Sequence, residues 1–457
     1  MYHEMIKHIS ADTTVLTDLS TAVADIDRCL NSMLYHSRPV YIGVPVDMSH
    51  RLVSASGLKT PLRTTLPPND SKAEADVVDQ IVQKLGQSSY PVIIVDGNAV
   101  RNGCIGESDK LATITGLPYF TTCMGKGGPN EDLPNFGGVY QGAGSTPAIK
   151  KAVERADFVL WLGSFRTDFN SGEFTDNVAP AAIIDVQRFF TKVSVHGGLR
   201  DEETKHEAGI KGVLSALNRR LGQNQSTIKA PKVDWNPYPT DQFEVKDELT
   251  QDYLWDALRD LFRPGDVVVT ETGTSAFGAA ATKLPAGCLM YNQTIFGSIG
   301  YAGGSAVGAF QAAKEAGRLK RGILITGEGS LQLTPMCFAD MLKLDHKPIV
   351  FVLNNNGYTV ERLIHGKHAS YNTLPVWDYD ALRKVFGPTH PSRYHGPIKT
   401  RAQFDSLLKD KQFQSSDVFQ LVELVLGELD APLSIRLVTS AIEEFNQKHA
   451  AGASMAG

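Results

Sequence analysis

The sequence predicts an α/β protein made of consecutive doubly wound parallel-sheet domains. Three features predict it. Short runs rich in Val, Ile and Leu alternate with stretches of helical periodicity, over residues 78–225 and again from 246 to 457. The main runs are continuously apolar, as strands buried on both faces of a parallel sheet are. Two Pro-rich stretches, 51–77 and 226–245, separate the α/β blocks and read as linkers.

Residues 1–50 read as a helix followed by a strand. Val23, Ile26, Leu30, Met33 and Leu34 recur at helical spacing, and Pro39–Asp47 (PVYIGVPVD) is a short β-rich run of the buried parallel type. One helix and one strand cannot close a core, so this block is expected to be the C-terminal remnant of a larger α/β unit. In the central block, strands are expected at Pro91–Gly97, Asp157–Gly163 and Ala181–Val186, with helices near Ala73–Leu85 and Pro147–Arg155. That is a Rossmann-like layer pattern. No GxGxxG opens a helix after its first strand, which leaves dinucleotide binding there weakly supported. In the third block, strands are expected at Asp266–Gly273, Arg321–Gly329, Pro348–Gly357 and Phe419–Leu426, with a terminal helix over Ser434–Ala450.

Bulk properties bound the function. A chain of 457 residues suggests two to four domains. With 42% hydrophobic and 21% charged residues, each can bury an ordinary core. A net charge of -5 without a basic run argues against a nucleic-acid partner. No apolar run is long enough for a membrane span, and the N-terminus has no signal-peptide core. Cys29, Cys104, Cys123, Cys288 and Cys337 are widely spaced with no CxxC pair. They suggest neither a zinc site nor a disulfide framework and fit a reducing compartment, the cytoplasm.

The chemistry-bearing segment is Gly327-Glu328-Gly329-Ser330 followed by Asn355-Asn356-Gly357-Tyr358-Thr359-Val360-Glu361. A β-run ends at Thr326. Gly327 and Gly329 permit a tight turn around the carboxylate and close approach of a ligand to backbone. Ser330 is placed to cap a helix starting near Leu331, whose free N–H groups and dipole suit phosphate. A second β-run ends at Leu353 and delivers Asn residues and then a glycine. In a parallel sheet both strand ends lie on the ligand-binding edge. A carboxylate, an amide oxygen and a glycine carbonyl can converge there, hard ligands suited to Mg²⁺ bound jointly with a diphosphate. Taken singly, GEGS is an ordinary strand-to-helix turn and NNNG an ordinary turn signal; the pair, each after a buried-type strand, carries the inference.

GEGSLQLT and FVLNNNGYTVERLIHG together resemble the diphosphate-binding motif of thiamine-diphosphate enzymes, specifically of pyruvate decarboxylases, whose pattern is GDGS followed by NNxGYT[IV]E. The resemblance implies the domain architecture of that enzyme type, with thiamine diphosphate and Mg²⁺ as cofactors. It implies metal ligation by Glu328, Asn355 and the Gly357 carbonyl, and diphosphate contacts from Ser330 and Thr359. Gly327, Gly329 and Val360 lie in the same cofactor-contacting block. It implies that Glu361 is the active-site acid. VVVTETGTSAFG and FGSIGYAGG resemble the remaining cofactor loops. By that resemblance Thr272 and Thr274 approach the cofactor, the Gly297 carbonyl accepts from the aminopyrimidine, and Ile299 is the apolar wedge that bends it. Without the matched block, Ile299 would read as plain core.

Further matches lie outside the site. TDLSTAVADIDRCL and RPVYIGVP resemble the end of the family's pyrimidine-binding first domain, and CMGKGGPNEDLPNFGGVY its middle domain. The family's activator-sensing cysteine has no counterpart: VDGNAVRN offers Asn98 and Ala99. His365 and His368 read as surface or structural histidines, since no metal-ligand spacing accompanies them. Glu328 stands where the family has Asp, and the added methylene bears on a metal intolerant of geometric error.

The family's first domain also supplies a cofactor-activating glutamate and two adjacent histidines. No His-His dipeptide occurs in this sequence, and the chain is expected to begin after both. The resemblance implies non-oxidative decarboxylation of a small 2-oxo acid, pyruvate above all, releasing an aldehyde, with turnover impaired in this chain by itself. A homo-oligomer (dimer or tetramer) or association with a full-length paralogue is expected, because the family's sites are shared between chains. Two other readings stay open: a non-catalytic cofactor-binding or interaction subunit, and an acetohydroxyacid-synthase-like carboligase, which the GYTVE stretch disfavours.

Overall fold

The computed structural model describes residues 2–196, 201–223, 228–240, 243–244 and 246–441. The chain divides into two compact units, Met1–Asn69 and Asp70–Gly457.

The first unit pairs two parallel strands, β1 (Thr13–Val15) and β2 (Tyr41–Gly43), in register from Thr13 opposite Tyr41 to Val15 opposite Gly43. Helix Leu19–His36 crosses between them, its first turn capped by Asp18, which accepts from the Ser20 N–H at 2.8 Å. The sequence predicts one strand here. The other, β1, has three residues, which carry too little periodicity to register. β2 is half-buried rather than fully buried, because two three-residue strands with helices Tyr2–Ile6 and Leu19–His36 leave much of the sheet uncovered.

The second unit holds two sheets. The first comprises β3 (Pro91–Val95), β4 (Tyr119–Thr121), β5 (Phe136–Val139), β6 (Phe158–Leu162), β7 (Ile183–Val186), β8 (Thr191–His196) and β9 (Asp201–His206), in the order β5-β4-β3-β6-β7-β8-β9. The first five are parallel; β8 and β9 add on antiparallel. β3 and β6 are buried along their whole length, as their unbroken apolar runs require. β4 and β5 escaped the sequence reading because one has three residues and the other, FGGV, is half glycine. Helix Ser71–Gln87, capped by Asp70, begins within the stretch read as linker. The second Pro-rich stretch has no regular element over 228–240, yet it is pinned. Trp235 donates to the Gly137 carbonyl at 2.9 Å and stacks on Phe120.

The second sheet comprises β10 (Asp266–Thr270), β11 (Leu289–Tyr291), β12 (Arg321–Gly327), β13 (Ile349–Asn354), β14 (Ser392–Ile398) and β15 (Phe419–Val425), all parallel, in the order β11-β10-β12-β13-β15-β14. Strand alternation builds a core on each face. Val267, Val269 and Leu324 pack with Ala302, Ala306 and Phe310 of helix Tyr301–Glu315. Val268, Ile323 and Ile325 pack on the other side with Leu254, Trp255 and Leu258 of helix Gln251–Leu261. At the amino ends of neighbouring strands, Arg321 makes a buried bidentate pair with Asp266, at 2.9 and 2.6 Å. Of the expected terminal helix, 433–441 is helical; 442–450 lies outside the described residues. No helix among the described residues is long and apolar enough to cross a membrane. All five cysteines are buried and unpaired.

Candidate active site

Along the second sheet the chain passes from β10 to β11 on one side and then to β12 on the other. Strand order reverses at β10, and ligands of open α/β sheets bind outside the carboxyl ends at such a point. The loops that follow β11, β10, β12 and β13 meet there. Every residue singled out above for metal, cofactor or catalysis lines one cavity at this edge, and Phe169, Gly273 and Tyr358 complete its wall.

Glu328 is 4% exposed. Its Oε1 accepts the Gly357 N–H at 2.6 Å. The Asn355 amide lies 2.6 Å from Thr359 Oγ1. Its other end is 2.7 Å from the Gly357 carbonyl oxygen and 3.0 and 3.1 Å from the two Glu328 oxygens. With nitrogen turned that way, the amide donates to these groups; with oxygen turned that way, it meets only acceptors. In the second orientation a carboxylate, an amide and a carbonyl oxygen converge with no proton between them, an arrangement a cation stabilises. Octahedral Mg²⁺–O distances of about 2.0–2.1 Å set neighbouring ligand oxygens roughly 2.9 Å apart. The spacings found here, 2.7 to 3.1 Å, bracket that value. The donor set therefore fits Mg²⁺. No cluster of three or more His, Cys, Asp or Glu stands at metal-binding distance among the described residues, so other coordination positions would fall to water or to an anionic ligand. Burial pushes the Glu328 carboxyl up to about 7, against backbone hydrogen bonds that favour the anion; an adjacent cation favours the anion too.

Ser330 does not cap a helix. Strand β12 runs through Gly327, whose extended backbone (φ -79°, ψ 156°) passes straight into helix Glu328–Leu333, so Ser330 already lies inside it. Its hydroxyl is the nearest atom, at 4.0 Å, to where a Gly327 Cβ would stand. Thr359 donates to the Glu428 carbonyl at 2.8 Å. The Thr272 hydroxyl is buried without a partner, an unsatisfied polar atom on the cavity wall. Thr274 opens helix Thr274–Ala280. Ile299 is 41% exposed, which rules out plain core. Glu361, in the first turn of helix Thr359–His365, is half-buried. No described residue engages its carboxylate in a hydrogen bond or ion pair. His368 is exposed and does not line the cavity; the His365 side chain lies outside the described residues.

Phe169 comes from the other sheet. A Cβ on Gly297 (φ +54°) would stand 3.4 Å from its ring and 3.6 Å from Thr272. A buried carboxylate holds it there. Asp96 accepts from Thr122 Oγ1 at 2.6 Å, the Phe165 N–H at 2.9 Å and Asn170 Nδ2 at 2.9 Å, fixing the turn Asp168–Ser171 that carries Phe169. No motif near the cofactor segments signals this residue.

Residues 78–196 match the thiamine pyrophosphate enzyme central domain, and residues 271–418 match the thiamine pyrophosphate enzyme C-terminal TPP binding domain. The chain is 37% identical over 435 residues to pyruvate decarboxylase of Kluyveromyces lactis, covering 95% of this chain and 76% of that one. It is 38% identical over 440 residues to pyruvate decarboxylase of Candida glabrata, with 95% and 76% covered. It is 37% identical over 435 residues to pyruvate decarboxylase isozyme 2 of Saccharomyces cerevisiae, with the same coverage.

Proposed function

Because the chain belongs to the pyruvate decarboxylase family, carboxy-lyases that use thiamine diphosphate, we propose that its cavity binds thiamine diphosphate with Mg²⁺ and serves the non-oxidative decarboxylation of a 2-oxo acid, pyruvate above all. The observation that carries this is the convergence of the Glu328 carboxylate, the Asn355 amide and the Gly357 carbonyl at 2.7 to 3.1 Å, spacings that suit Mg²⁺ when the amide turns its oxygen inward. When bound, the cofactor supplies the electron sink that lets a carboxylate leave as CO₂.

The chain's own residues then have these tasks. Glu328, Asn355 and the Gly357 carbonyl hold the metal and, through it, the diphosphate. Ser330 offers its hydroxyl to the same group, with Gly327 leaving room for it; the Thr359 hydroxyl would have to turn from the Glu428 carbonyl to join it, and Gly329 gives its space to Tyr358 and Leu374. Thr272 has an unpartnered hydroxyl to give; with Thr274, the Gly297 carbonyl, Ile299 and Val360 it shapes the wall for the ring end. Glu361 carries a carboxylate free of partners among the described residues, and so can exchange a proton with substrate oxygen or carbon.

A second reading is a cofactor-binding subunit whose turnover needs a partner chain, either another copy or a paralogue, in the cytoplasm. One observation favours it: Glu328 and Glu361 are the only carboxylates lining the cavity among the described residues. One is committed to the metal, and neither can also polarise the far end of the pyrimidine.

Calorimetric titration of the chain with thiamine diphosphate and Mg²⁺ tests the primary reading. Binding is expected, and Glu328→Ala is expected to abolish it; unchanged affinity in that variant would refute the assignment. Acetaldehyde release from pyruvate, measured with and without a full-length relative present, separates the two readings.

A further inference from the structure

Glu271 follows β10 directly and is 1% exposed. Its carboxylate accepts the Thr272 N–H at 2.9 Å through one oxygen and the Ala302 N–H at 3.3 Å through the other. The Gly300 N–H also faces it. Helix Tyr301–Glu315 has Gly300 (φ +91°) at its N-cap, which offers no capping side chain. Glu271 therefore does from a neighbouring strand what an N-cap residue does locally: it satisfies first-turn N–H groups and complements the helix dipole. Tyr301 adds a parallel tie, its hydroxyl donating to the Thr270 carbonyl at 2.7 Å.

These ties matter because of what they join. Thr272 is on one wall of the cavity; Gly297 and Ile299, just before the braced turn, are on another. Phe296 is 81% exposed and Ile299 41%, so core packing does little to fix this loop. We propose that Glu271 is a positioning residue that sets the Gly297–Ile299 loop against Thr272, and so shapes the ring-binding end of the cavity. The metal end, built on β12 and β13, does not depend on it. The inference rests on the cofactor reading above.

The test separates the two ends of the cavity by probe. Inorganic pyrophosphate with Mg²⁺ reports the metal end; thiamine diphosphate with Mg²⁺ reports both. In Glu271→Gln one acceptor becomes a donor facing an N–H. The loss of one charge-assisted hydrogen bond is expected to weaken thiamine diphosphate about tenfold, while pyrophosphate affinity stays within about twofold. Hydrogen exchange at 297–302 in the ligand-free chain is expected to speed up. A general structural defect would weaken both probes together, and that result, or two unchanged affinities, overturns the proposal. Should Glu271→Gln fail to fold, Tyr301→Phe breaks the parallel tie and must shift thiamine diphosphate selectively in the same direction. A wild-type chain that binds neither probe would overturn the cofactor reading itself, a different result from a wild type that binds both and a variant that does not differ.

Discussion

The Gly357 amide donates to the Glu328 carboxylate at 2.6 Å, joining the helix that follows β12 to the loop that follows β13 across 29 residues. The strands run in register, with Gly327 opposite Leu353, so the bond closes the sheet edge above them. It also turns the Gly357 carbonyl toward the Asn355 amide.

Only glycine can make this turn. Gly357 has φ +134°, and a Cβ there would stand 1.9 Å from the Asn372 carbonyl oxygen. Gly357→Ala must therefore move one loop off the other. A stability loss of roughly 2 kcal/mol or more is expected from strain and clash, read by urea denaturation. Mg²⁺-dependent pyrophosphate binding should be lost with it. A variant that keeps both would mean that the loop adapts without disturbing the three oxygens.

Glu361 and Glu328 should separate cleanly. No described residue pairs with the Glu361 carboxylate, so Glu361→Gln is expected to leave thiamine diphosphate affinity within about twofold of wild type. If it is the proton-handling group, decarboxylation in an assembly that turns over should fall by about 10²–10⁴-fold. The check pairs calorimetry with acetaldehyde release on one preparation. Loss of binding alongside activity would assign Glu361 to cofactor retention instead.

Much of this was legible in the sequence, for reasons that also explain what was not. Strands β3, β6, β10, β12, β13 and β15 announce themselves because burial on both faces leaves unbroken apolar runs. Most of the residues proposed for metal and cofactor sit at the ends of those strands, where glycine, carboxylate and amide cluster locally; Gly297 and Ile299 follow β11 instead. Strands β4 and β11 have three residues each, too few for periodicity. Phe169 reaches the cavity from another sheet, through a contact no local pattern encodes. Glu271 was readable in principle, as a carboxylate between a strand end and Thr272, but its value lies in the Ala302 amide it meets only after folding. Ser330 lies about one turn deeper than its sequence suggests, because β12 passes into helix Glu328–Leu333 with no intervening loop.

The two sheets of the second unit are joined by a buried cation. Lys126 Nζ lies 2.9 Å from Glu131, 3.0 Å from the Tyr238 hydroxyl and 2.7 Å from the Thr282 carbonyl. Glu131 in turn accepts the Leu284 N–H at 2.9 Å. Lys126→Met leaves a carboxylate buried without its partner, at a cost of about 3–5 kcal/mol. Adding Glu131→Gln removes the stranded charge and should recover part of that loss. A urea-denaturation cycle measures the coupling; strictly additive losses would show that the pair contributes nothing as a pair.

The last prediction concerns pH. Asp430 accepts the Gln251 N–H at the start of helix Gln251–Leu261, at 2.6 Å. Burial is the main cause that raises its carboxyl from 3.8 to about 6; Asp252 adds to the rise, and Arg436 and Lys246 oppose it. The unfolded chain releases this proton near 3.8, so between the two values the folded state binds more protons. Stability from this group is then fully present below about pH 4, falls as pH rises to about 6, and stays low above that. Asp430→Asn removes the titration but keeps an oxygen for the Gln251 N–H. The variant's stability relative to wild type should therefore climb between pH 4 and 6 and then level off, by at most roughly 3 kcal/mol and less where solvent screens the site. Taking the difference cancels every other group that titrates in that window. Urea midpoints of both proteins at pH 4.5, 5.5 and 7 measure it, and a difference that stays flat would mean that Asp430 is ionised in the fold at no cost.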